Sequence, residues 1–161
     1  MFLWKYPSDK EIIDLNLRQL YLGNYVKWES NHHLEMMIKK YNFKVSDKNF
    51  ERTYRKGSNL DDIYENGIHD YMKYIKFGYG RCTDHASKDI RSGHMSRDKG
   101  IRLINSMDHI KSSDLYRWLG YVDMTEKEFD RIADHFRDPR VWTWNEKIGW
   151  NKDILSTNKD I

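Results

Sequence analysis

The stretch from Lys76 to Arg97 concentrates the residue types that do chemistry. Lys76, Arg81, Lys88, Arg91 and Arg97 stand among Asp84, His85, Asp89 and His94, just after a Gly78-Tyr79-Gly80 turn. Glycine lets a backbone turn tightly and approach a ligand closely. Arginine forks onto phosphate or carboxylate oxygens. A helix that begins at such a turn points free N–H groups at an anion. Asp84 and Asp89 could hold a metal ion, orient a ligand hydroxyl or fix the arginines. If the segment is helical, Asp84 and Lys88 are i, i+4 neighbours, as are His85 and Asp89. Asp84 and Arg91, two turns apart, share a face. The opposing reading is a solvated face laced with salt bridges, the usual meaning of mixed charges on a helix. Spacing alone leaves both open.

Other candidates carry less. His32 and His33 are adjacent and diverge on a helix, a break separates His85 from His94, and no His-Glu-x-x-His spacing occurs. These histidines are expected to be exposed or satisfied in a core, and no metal site is assigned. Asp61 and Asp62 stand at an expected helix start, where carboxylates commonly cap or complement the dipole; a metal role is the sharper alternative. Cys82 is the single cysteine, which excludes an intramolecular disulfide and a cysteine-rich zinc site. Only Arg81 adjoins it as an activating partner, so it reads as a small packed residue. Trp142, Trp144 and Trp150 read as core or interface, with base stacking as the alternative.

These residues need elements to position them. A chain of 161 residues can bury roughly 70% of its extended surface, enough for one domain with a core. It is polar, with 39% apolar and 33% charged residues, but 14% aromatics argue against disorder. The net charge of +3 comes from 28 basic and 25 acidic residues that alternate in sign. No basic stripe marks a duplex binder or a seeker of anionic membranes. No apolar run approaches membrane-spanning length, and Met1-Phe-Leu-Trp-Lys-Tyr-Pro7 is too short for a signal-peptide core. A cytoplasmic protein without membrane insertion is expected. The four apolar residues at the start are expected to dock on a core or to begin inside a larger fold.

Ser8-Asp-Lys-Glu11 has capping-box spacing and predicts a short helix. Leu20 to Trp28, rich in Tyr, Val, Leu and Trp, reads as the best strand candidate. Ser30 is expected to cap a helix with Leu34, Met37, Ile38 and Tyr41 on one face. Ile68, Tyr71, Met72 and Ile75 predict a second stripe that stops near Gly78. A third helix is expected over 83–92, closed by Gly93, and a fourth from Ser96. Ser113 should cap a short helix through Leu119, closed by Gly120. Thr125-Glu-Lys-Glu128 is another capping box, before Phe129, Ile132, Ala133 and Phe136. The tail lacks periodicity. The expectation is a mainly α unit over 1–161 with at most a small sheet near Leu20 to Trp28.

At Tyr74-Ile-Lys-Phe-Gly-Tyr-Gly-Arg-Cys-Thr-Asp-His-Ala-Ser-Lys-Asp-Ile-Arg-Ser-Gly-His-Met-Ser-Arg97 the chain resembles the bacterial N-acetyl sugar amidotransferases of surface-polysaccharide biosynthesis. Tyr21-Leu-Gly-Asn-Tyr-Val-Lys-Trp28, Phe50-Glu-Arg-Thr-Tyr54, Ser58-Asn-Leu-Asp-Asp62 and Phe136-Arg-Asp-Pro-Arg-Val-Trp142 resemble the same family, in the same order. The resemblance implies ATP-dependent conversion of an acetamido to an acetamidino group on a sugar or sugar-nucleotide. It implies membership of the PP-loop group of adenine-nucleotide enzymes, with Mg²⁺ in the complete enzyme and a glutaminase subunit supplying ammonia. From the glycine turn and the charged helix after it, Lys76, Gly78, Tyr79, Gly80, Arg81, Asp84, Lys88, Asp89 and Arg91 are the expected substrate or nucleotide-binding set, with catalytic residues unassigned.

The chain departs from that family in having no Ser-Gly-Gly phosphate loop. It therefore resembles the helical C-terminal half of a PP-loop α/β fold, as a fragment or as the partner of a separate N-terminal half. It is expected to be inactive alone and to carry an incomplete sheet edge or an exposed apolar surface. Two alternatives stand beside this reading: a non-catalytic helical protein-interaction module, and a single-strand nucleic-acid binder, which the small net charge disfavours.

Overall fold

A computed structural model describes residues 5–57 and 64–153. The expectations for Met1 to Trp4 and for Asp61 and Asp62 fall outside the described residues. The chain divides into two compact units, Met1–Tyr41 and Asn42–Ile161.

In the first unit, α1 (Asp9–Asp14) starts from the reciprocal capping box of Ser8 and Glu11. A longer helix, α2, spans Ser30–Tyr41. The strand expected over Leu20 to Trp28 does not form. A 3₁₀ turn occupies Leu22–Asn24, closed locally as Asn24 N–H donates to Tyr21 C=O and Tyr25 N–H to Leu22 C=O. Aromatic and β-branched composition favours a strand only when a neighbour supplies the ladder, and among the described residues none lies alongside. No described residue of this unit is buried. Ile13, Leu15, Leu20, Leu22 and Trp28 are exposed, as the expectation of an apolar surface required.

The second unit is built from α3 (Asn66–Phe77), α4 (Arg81–Arg91), α5 (Arg97–Met107), α6 (Leu115–Val122) and α7 (Glu126–Asp134). One antiparallel hairpin follows, β1 (Thr143–Asn145) with β2 (Gly149–Asn151), in the register Trp144 opposite Trp150. The protein is mainly α, and its small sheet lies in the tail rather than near Leu20. Ser96 caps α5, and Thr125 with Glu128 forms the capping box of α7. Gly78 ends α3 in the left-handed region, at φ 73°. Several boundaries differ from expectation: Ser30 lies within α2 rather than before it, and Asp114 rather than Ser113 is the N-cap of α6. The α4 helix begins at Arg81 rather than Thr83. The α6 helix runs through Gly120 and ends at Asp123, whose φ of 52° and N–H to Leu119 C=O make the C-cap. Glycine is a stop only where positive φ is needed, and here Asp123 supplies it.

Ile68 and Ile75 of α3, Leu115 and Leu119 of α6, and Phe129 and Ala133 of α7 form the main core. Cys82 and Ala86 of α4 meet Ile104 of α5 in a second cluster. Gly100 allows the closest approach there, since a Cβ on it would lie 2.8 Å from Ile90 Cδ1.

Candidate functional site

The start of α4 is closed by one carboxylate. Asp108, 3% exposed, follows α5 directly. Its Oδ2 accepts from Gly80 N–H at 2.8 Å and its Oδ1 from Cys82 N–H at 3.0 Å. Thr83 adds a longer N–H contact of 3.4 Å and donates its hydroxyl to Oδ2. The anion that this helix terminus accepts is therefore the protein's own. Sequence alone leaves the N–H groups at the turn free for a ligand; in the fold a residue beyond α5 takes those of Gly80, Cys82 and Thr83.

Arg52 sits beside this cap at 2% exposure. Its Nη2 donates to the backbone carbonyls of Asp108 and Asp70, and its guanidinium carbon lies 5.2 Å and 5.7 Å from the Tyr71 and Tyr74 ring centroids. Burial lowers its pKa, while Asp108 and Asp70 act in the opposite direction.

Arg81, Asp84 and Asp89 of α4 pair with α3 and with the segment at Tyr54 and Arg55. Arg81 Nε grips both oxygens of Asp70 on α3, at 3.0 and 3.1 Å. Asp84 pairs with Lys73 of α3 rather than with Lys88. Asp89 accepts from the Tyr54 hydroxyl and from Arg55 Nη2, both at 2.5 Å, rather than from His85. His85 Nδ1 lies 2.6 Å from Thr53 Oγ1. Burial, aided by Arg55, Arg81 and Lys88 and opposed by Asp84, pushes His85 down to about 4. It is neutral at physiological pH. Burial pushes the Cys82 thiol up to about 12, with Asp108 adding to the shift, so it is no nucleophile.

Lys76, Lys88 and Arg91 remain exposed. Lys76 Nζ lies 5.3 Å from the Phe136 ring centroid. Tyr79 is 42% exposed and stands 4.7 Å from Lys73 Nζ. The expected set thus divides into a buried or half-buried lattice (Arg81, Asp84, Asp89) and an exposed fringe (Lys76, Tyr79, Lys88, Arg91).

The N–H groups of Gly80, Cys82 and Thr83 are turned to the Asp108 carboxylate. Among the described residues no cluster of three His, Cys, Asp or Glu offers a metal site. Arg52, Asp70 and Asp108 had no role in the sequence reading. The one available signal was the family-like segment Phe50-Glu-Arg-Thr-Tyr54, whose Arg52, Thr53 and Tyr54 all turn out to reach α3, α4 or the residue that caps α4.

Residues 23–155 match the model of a family described as LPS biosynthesis protein WbpG-like, C-terminal domain. The chain belongs to this WbpG-like family. The match begins within the 3₁₀ turn and spans every helix from α2 onward and the hairpin. It agrees with the surface-polysaccharide resemblance and places these residues at the C-terminal end of that protein type. No curated protein matches the chain.

Proposed function

We propose that this WbpG-like domain handles the sugar substrate of an ATP-dependent amidotransferase in LPS biosynthesis. The reaction would convert the acetamido group of a nucleotide-linked sugar to an acetamidino group, in the cytoplasm. The observation that carries the reading is the family match over 23–155; the order of the amidotransferase-like segments supports it. ATP and Mg²⁺ would belong to the complete enzyme, in a phosphate-loop half, because this chain carries no Ser-Gly-Gly segment. A glutaminase subunit would supply ammonia.

Within this chain the exposed cations Lys76, Lys88 and Arg91 would meet the carrier phosphates. Gly78, Tyr79 and Gly80 shape the turn. Arg81, Asp84 and Asp89, held by Asp70, Lys73, Tyr54 and Arg55, keep α4 in place.

The test measures AMP and pyrophosphate release from an acetamido sugar-nucleotide with ammonium present. The complete enzyme should turn over and the 161 residues alone should not. In the complete enzyme, Arg91→Ala should raise KM roughly ten- to a hundredfold with kcat retained. Amidation by the isolated chain would overturn the division of labour. An inactive complete enzyme would overturn the amidation reading. The exposed apolar residues over 13–28 favour a second reading, a non-catalytic interaction module; a stable partner complex with no turnover would establish it.

A further inference from the structure

A pocket of about 300 Å³ opens where α3, the end of α5 and the tail hairpin meet. Its lining includes Tyr74 of α3, Asp108 and His109 after α5, and Trp150, Asn151 and Lys152 at β2. Tyr74, Trp150 and Lys152 are half-buried, and His109 and Asn151 are exposed. All lie in the second compact unit.

The charged groups at the start of α4 are paired, but pairing stops at this pocket. Among the described residues the Tyr74 hydroxyl, the Trp150 indole N–H, the His109 ring and the Asn151 side-chain amide have no hydrogen-bond partner, and none of these groups is sealed from solvent. Lys152 Nζ makes only a long contact, 3.5 Å to Asp153 C=O. Burial, then the Asp108 carboxylate, raises the Tyr74 pKa against Arg52 and Arg137, so the hydroxyl stays protonated and able to donate.

The wall's charges offset one another, Lys152 against Asp108, so an anion finds no net positive charge. A nucleobase binds by stacking on an open ring face. Here Lys152 Nζ and the Arg52 guanidinium lie 5.6 and 5.7 Å from the Tyr74 ring centroid, and that of Arg137 lies 5.3 Å from the Trp150 centroid. What these rings offer is a polar edge beside apolar carbon. A saturated, uncharged ring bearing hydroxyls and an amide matches them: its oxygens accept from the donors, and the His109 ring and Asn151 amide both donate and accept. The volume lies at the lower end of the roughly 300–1,000 Å³ of small-molecule sites, which suits one ring rather than a whole sugar-nucleotide.

We propose that this pocket holds the N-acetylated sugar ring of the substrate and leaves its phosphates outside. Sugar oxygens accept from Tyr74, Trp150 and Lys152, and sugar hydroxyls meet His109 and Asn151. The assignment deepens the sugar reading above and rests on it.

The test is a ligand-observed NMR titration of the full chain with N-acetylhexosamines, with inorganic phosphate and uridine as competitors. A saturable sugar signal that neither competitor displaces is expected. Tyr74→Phe removes a hydroxyl that no described residue uses, and Asn151 is exposed, so Tyr74→Phe and Asn151→Ala should keep the circular dichroism and the urea midpoint. Each should weaken the sugar roughly three- to tenfold. Absence of saturable sugar binding, displacement by phosphate or uridine, or unchanged binding in both variants would overturn the proposal. The two readings fail separately. Sugar binding without AMP release from the complete enzyme removes amidation alone, and turnover with KM unchanged in both variants removes the pocket alone.

Discussion

Asp108 does by itself what a helix N-cap and a phosphate would otherwise share. It gathers N–H donors from Gly80, Cys82 and Thr83 in a buried setting. Hydrogen bonds to a charged acceptor contribute about 1.5–3 kcal/mol each, and donors left unsatisfied in the interior add a penalty. Asp108→Ala should therefore lower unfolding stability by about 3 kcal/mol or more, read by urea denaturation; a loss below about 1 kcal/mol would show that water replaces the carboxylate readily. His85 makes a second residue-scale prediction. Its folded pKa of about 4 lies below the ordinary value of 6.5, so the unfolded chain binds the proton more tightly. Its stabilising contribution is complete above 6.5, declines as pH falls from there towards 4, and levels off below. The size is on the order of 3 kcal/mol. His85→Gln should flatten that part of the stability–pH curve, and an unchanged slope would assign the acid sensitivity to other groups.

At the scale of elements, ends were legible where one residue carries the signal. Ser8 and Thr125 announce their helices because the cap and its reciprocal partner lie three residues apart, and the stripes of α3 and α7 fall at 3.6-residue spacing. Thr125→Ala should cost about 1 kcal/mol, checked by thermal or urea unfolding. Gly78 is more demanding. It combines φ 73° with a Cβ direction 2.4 Å from Val141 Cγ1. Gly78→Ala should therefore cost about 2 kcal/mol, and retention of full stability would mean that Val141 yields freely. The strand expected at Leu20 to Trp28 and the hairpin that formed at Trp144 and Trp150 make the contrast. Both stretches have aromatic residues, but only the tail finds a partner strand. There the Asn145 side chain accepts from Lys147 and Ile148 N–H, and Gly149 takes φ 78°. That signal lies in the turn chemistry, and the hydrophobic period does not carry it.

At the scale of the molecule, stability is unevenly distributed. Residues 5–41 bury nothing, whereas α3 to α7 hold the buried core residues. Local opening follows burial and contact density. Amide exchange should therefore be fast over α1 and the 3₁₀ turn and slowest in α3, α4 and α7; comparable protection in the first unit of the isolated chain would show that its apolar residues find cover in solution.

Helical class, caps and core faces were within reach of the sequence because each depends on residues at most a few positions apart, where propensity and periodicity act. The charge-rich segment from Lys76 to Arg97 is plain in the sequence, but the partners of its side chains are not. Arg52 and Asp108 are separated by 56 positions, Gly80 and Asp108 by 28, Tyr54 and Asp89 by 35. Only packing α3, α4 and α5 together decides which carboxylate fills the α4 terminus, which cations are left exposed, and which guanidinium is buried. Charge pairing between distant residues leaves no period in the sequence, since a side chain's partner is set by where helices cross in space.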